Sequence, residues 1–160
     1  MIGIAAPQKE RLGWNLKAIA AAEKASDDHA RNWLGSLLNN IGWSLFDEER
    51  YDEALDTFQK ALAFREEKGT AEPIRIARWC VAKTLRVMGR IDEGLAIQRE
   101  LEADPDHDAF VEEEIAECLY TLGQSDDAKP YFKIAYEGLS QMRWVAEDTE
   151  RIERLLKLSE

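Results

Sequence analysis

The stretch ERYDEAL at residues 49–55 is written again as GRIDEGL at 89–95 and, more loosely, as GQSDDAK at 123–129. Nothing else in the chain constrains its fold as strongly. A unit recurring at this interval is one supersecondary element that buries its apolar face only by stacking on the next copy. Aligned on Ala54, Gly94 and Ala128, the steps are 40 and 34 residues. Within the first copy Leu34, Leu37, Leu38, Ile41 and Leu45 recur at helical spacing, and Tyr51, Ala54, Leu55, Phe58, Ala61 and Leu62 continue it after a break. The unit is therefore read as a helix pair. Gly69, Gly89 and Gly123 stand where a helix ends in a left-handed residue. Pro73 and Pro105 mark helix starts, and Pro130 falls inside a helix that Ser125 is expected to cap, bending its first turn.

The first copy reads Leu38-x2-Ile41-Gly42-x2-Leu45, then Tyr51, Ala54, Phe58 and Ala61. This pattern resembles the tetratricopeptide repeat, in which small residues let two antiparallel helices approach and bulky ones fill the hollows between them. The second copy is looser: Val81, Ala82 and Leu85 fit, but Gly94 stands where alanine is usual and Gln98 where phenylalanine is usual. A glycine inside a helix costs about 0.5–1 kcal/mol against alanine, so this helix is expected to be the softest. The third copy returns to pattern with Ile115, Ala116, Leu119, Ala128, Phe132 and Ala135. The longer first interval, with REEKGTAEP inside it, resembles the kinesin-light-chain variety of the repeat.

The resemblance implies an all-α fold, a right-handed α-solenoid of antiparallel helix pairs. Its repeats are expected at about 28–69, 70–104 and 105–140. Residues 1–26 are read as an N-terminal helix, either half a repeat or a cap, with Ile2, Ile4 and Trp14 as its apolar face; its core is 7–25. Residues 141–160 are read as a C-terminal capping helix with Ile152, Leu155, Leu156 and Leu158 on one stripe. About eight helices are expected in all.

Composition narrows the function. The net charge is -11, and eleven of the 32 acids lie between Glu100 and Ala128, where there is no Lys or Arg; the other 21 balance the chain's 21 bases. Phosphate-backbone recognition needs clustered cations, so nucleic acid is not expected as a partner. The acidic run is read as a solvated face. No apolar run is long enough to span a membrane and no signal peptide is evident, so a membrane is not expected and the location is read as cytoplasmic.

In the resembled family the first helix of each pair lines a concave groove, and matching positions carry the ligand contacts. They fall here on Asn39, Trp43 and Phe46, on Trp79, Lys83 and Arg86, and on Glu113, Glu117 and Tyr120. Aromatic anchors supply apolar area, an asparagine bonds an extended backbone, and cations hold a carboxylate. The partner-binding set is thus Asn39, Trp43, Phe46, Trp79, Lys83, Arg86 and Tyr120, with a protein or peptide as ligand. Two competing uses remain open: Trp43 and Trp79 as packing residues, and Lys83 and Arg86 as partners of Glu113 and Glu117. The chaperone-binding members carry Lys-x3-Asn and Lys-x3-Arg; this chain has Asn39-x3-Trp43, Trp79-x3-Lys83 and Glu113-x3-Glu117, which is not that clamp.

Catalysis is not expected. His29 and His107 lack spaced nucleophile or metal-site partners, and no glycine-rich phosphate loop occurs. Cys80 and Cys118 are read as buried, inert thiols. Asp104-Pro-Asp106-His-Asp108 opens like a calcium loop, but Ala109 and Ile115 stand where glycine and an acid are required, so it is read as a turn capped by Asp106 or Asp108. No cofactor or metal is expected. The alternatives to groove binding are self-association into a homo-oligomer or a longer solenoid, and a ligand-sensing regulatory module.

Overall fold

In a computed structural model, which describes residues 13–14, 17–19, 33–68 and 70–160, every regular element is an α-helix. Eight follow Trp33: α1 (Leu34–Asp47), α2 (Tyr51–Lys68), α3 (Ala71–Val87), α4 (Ile91–Glu102), α5 (Ala109–Thr121), α6 (Ser125–Leu139), α7 (Arg143–Ala146) and α8 (Thr149–Ser159). Most of the expected N-terminal helix, with Ile2, Ile4 and His29, lies outside the described residues, as does Gly69. The chain forms two compact units, Met1–Thr84 and Leu85–Glu160, whose boundary falls within α3.

In the first unit α1 packs on α2. The glycine in the motif is required by this contact: a Cβ on Gly42 would lie 2.4 Å from the ring of Phe58. Phe58, Ala54 and Ala61 are all fully enclosed around that approach. In the second unit α5 packs on α4 and α6, and α8 packs on α6. Ala116, Ala128, Phe132 and Ala135, the counterparts of Gly42, Ala54, Phe58 and Ala61, are likewise fully buried.

The periodicity extends to the backbone. The turns after α1, α3 and α5 each close with the same hydrogen bond, from Arg50 N to Leu45 O, Arg90 N to Leu85 O and Gln124 N to Leu119 O, all at 2.9 Å. Each turn holds one residue at positive φ: Gly89 (83°), Gly123 (77°) and, in the first copy, Glu49 (60°). The expected glycine ends are met at 89 and 123, and register alone places Glu49 as their equivalent.

Two local expectations are revised. Ser125 is the first residue of α6 rather than its cap; Gln124 occupies that position without a side-chain bond. Between the expected repeats and the C-terminal helix the chain adds the short α7. Asp108, by contrast, does cap α5, accepting from Phe110 N at 3.1 Å, and Asp148 caps α8 through Arg151 N.

Candidate functional site

In the first unit, α1 and α3 bring together five of the seven residues selected from sequence. Trp43 is the hub. Its ring lies 5.2 Å from Phe46 and 5.2 Å from Phe58, both edge-on, and 6.0 Å from Trp79. Tyr51, at the start of α2, closes on Phe46 at 5.2 Å. Lys83 Nζ sits 5.0 Å from the centroid of Trp79, one turn along α3. Asn39 Oδ1 accepts from the Cys80 thiol at 3.6 Å, so its carbonyl is used inside the unit. Asn39, Trp43, Phe46, Trp79 and Lys83 are each half-buried. The tryptophans therefore both pack and present surface. Edge-on rings hold one another in fixed orientation, which limits the ordering entropy a ligand must overcome.

In the second unit the ionic pairing departs from the sequence reading. Arg86 grips Glu114 with two bonds, Nε to Oε2 at 2.7 Å and Nη2 to Oε1 at 3.2 Å, and Glu114 is 1% exposed. Glu113 and Glu117, left open as partners of Lys83 and Arg86, are held by Arg151 and Arg154 of α8. Arg151 also lies over Phe110 and Arg154 over Phe132. Tyr120 is exposed, edge-on to Phe132.

The reading of the acidic run as a solvated face fails at its centre: Glu112, Glu113 and Glu114 are all buried. Three successive residues on a helix point about 100° apart, and each meets a different cation, His107, Arg151 and Arg86 respectively. Arg151 of α8, 38 residues away, makes burial of the second acid tolerable, and sequence spacing carries no sign of it.

The cysteines behave as expected from burial. Both are free and enclosed, and desolvation pushes each thiol up to about 12, far from the nucleophilic range. In the turn before α5, Asp104 Oδ1 accepts from Asp106 N, while Asp108 serves as the cap. Among the described residues, no helix is long and apolar enough to cross a membrane.

Residues 35–67 match the family model of the tetratricopeptide repeat, a unit that belongs generally to protein–protein interaction modules. Among solved structures the chain is similar to BtubC (BKLC) from P. vanneervenii, with a TM-score of 0.65 and 14% identity, over 96% of this chain and 72% of that one. At that identity the likeness speaks for the fold, a helical-repeat architecture. No curated protein matches the chain by sequence.

Proposed function

We propose, taking residues 35–67 as a tetratricopeptide repeat within a helical-repeat fold, that this chain is a non-enzymatic interaction module. Its docking surface is the aromatic face made by Asn39, Trp43, Phe46, Trp79 and Lys83, and its ligand is a peptide or helix of a partner protein. One observation carries the reading: two tryptophans 6.0 Å apart, each half-buried, with a lysine over the second ring. Such a surface offers rigid apolar anchoring by tryptophan, a residue enriched at hot spots, beside a positive charge. It suits a segment with a large apolar side chain next to a carboxylate. Arg86 contributes less to this reading, because Glu114 already neutralises it within the second unit.

The test is peptide-display selection on the wild-type protein, followed by affinity measurement on Lys83→Glu and Trp79→Ala, each checked for unchanged far-UV circular dichroism. Hot-spot loss of about 1–2 kcal/mol or more corresponds to roughly tenfold weaker binding. Selected peptides that bind both variants as tightly as wild type would remove the aromatic face from consideration.

A further inference from the structure

Glu112 is enclosed in the second unit, 6% exposed, and among the described residues a single donor reaches its carboxylate. Its Oε1 meets His107 Nε2 at 2.6 Å, and its Oε2 is sealed with no hydrogen-bond partner. The other ring nitrogen is committed too: His107 Nδ1 lies 2.6 Å from the Asp104 carbonyl oxygen. A carbonyl and a carboxylate both accept, whereas a neutral imidazole carries one N–H. The ring therefore makes both bonds only as the imidazolium, and one proton compensates the buried charge of Glu112.

The surroundings favour that proton. The ionisable groups that act on the ring or share its hollow are Glu102 at the end of α4, Asp104 and Asp108 in the turn, Glu112 on α5 and Glu137 on α6, all acidic. Glu102 is itself bonded to Arg99 and Tyr131, and no lysine or arginine lines the hollow. The bond to the Asp104 carbonyl raises the His107 pKa most; burial opposes the rise, and Glu112 and Glu102 add to it.

Losing the proton undoes one of the two contacts. The remaining N–H stays on the Asp104 carbonyl, and the ring turns a lone pair toward Glu112 Oε1. Glu112 is then a buried carboxylate without a donor on either oxygen, a costly state. Relief lies in the open hollow beside it, lined also by Glu137 and Gln141, where water meets the carboxylate once the ring and its turn swing away.

We infer that His107 and Glu112 form a proton-operated latch: one shared proton pins the connection between α4 and α5, residues 103–108, onto the first turn of α5, and its loss as the pH rises releases that connection. The proton belongs to the pair, so the switch point is a property of both residues together. Because the latched chain holds it more tightly than the released one, its contribution to stability is complete below the ordinary histidine value of 6.5 and is lost as the pH rises through the raised value. Between the two values the released population grows by up to about tenfold per pH unit, the limit for one proton. The latch lies in the second unit and does not depend on the tryptophan face of the first.

The experiment follows the His107 ring by NMR, together with amide hydrogen exchange of the full chain, between about pH 5.5 and 8.5, a range that brackets the ordinary histidine titration. The amides to watch are those of His107 and Val111, which bond to the Asp104 and Asp108 carbonyls. The expected result is a ring pKa above 6.5 and protection factors at these amides that fall by up to about tenfold per pH unit up to that pKa. Glu112→Gln supplies an amide donor to the neutral ring, so the turn stays pinned without the extra proton; the ring pKa falls and the pH dependence goes with it. His107→Ala leaves Glu112 without its donor at every pH, so its protection is low throughout and the wild type converges on it as the pH rises. A ring that titrates at or below 6.5, protection that does not change with pH, or a pH dependence that survives Glu112→Gln would each overturn the assignment. None of these outcomes bears on the tryptophan surface, which the peptide selection tests separately.

Discussion

Gln98 occupies the place that Phe58 and Phe132 hold in the other copies, and the protein encloses all three completely. Phe58 fills the hollow against Gly42. Gln98 brings an amide to its own hollow, and neither its Nε2 nor its Oε1 has a hydrogen-bond partner. A buried polar group left unsatisfied costs about 1–3 kcal/mol. Gln98→Met keeps the length and nearly the volume of the side chain while removing both polar atoms, so repacking costs little. The expected gain is about 2 kcal/mol. With a urea m-value of about 2 kcal/mol/M, the midpoint of unfolding rises by about 1 M with m unchanged. Equilibrium urea unfolding followed by circular dichroism reads this directly. Gln98→Glu, which places a charge in the same enclosure, lowers the midpoint. If Gln98→Met leaves the midpoint where it is or lowers it, the amide is satisfied in the folded chain, by water, and the reasoning from register fails.

Two further outcomes follow from the same structure. Glu114→Ala leaves Arg86 charged and largely enclosed, and is expected to destabilise by about 3–5 kcal/mol, whereas the double change Arg86→Met with Glu114→Leu recovers most of that loss; a double-mutant cycle in urea measures the coupling. At the turn after α1, Glu49 holds a φ of 60° where the other copies have glycine, so Glu49→Gly is expected to stabilise by about 0.5–1 kcal/mol and Gly89→Ala to act in the opposite direction, both read as shifts in Tm.

Much of the architecture was legible in the chain. The motif spacing placed Gly42 at the close approach of two helices, Gly89 and Gly123 at left-handed helix ends, and Asp106 or Asp108 at a cap, because each depends on backbone geometry within one repeat. The tryptophans, Asn39 and Lys83 were carried over from the groove positions of the resembled family, and the structure brings them together in the first unit. What register missed was partnership. Spacing left Glu113 and Glu117 open as partners of Lys83 and Arg86; the fold pairs these acids with Arg151 and Arg154, and pairs Arg86 with Glu114.

The sequence by itself thus determined the repeating helix pair, its small-against-large core and its turns, since these follow from local periodicity and from which residues tolerate close approach or positive φ. Only the tertiary structure decided that Glu112, Glu113 and Glu114 are buried. Side chains 100° apart on one helix face three different neighbours, and whether an acid is solvated or enclosed depends on which cation the packed elements carry to it. That same packing encloses one oxygen of Glu112 without a hydrogen-bond partner, a circumstance no reading of the run as eleven acids without a base contains.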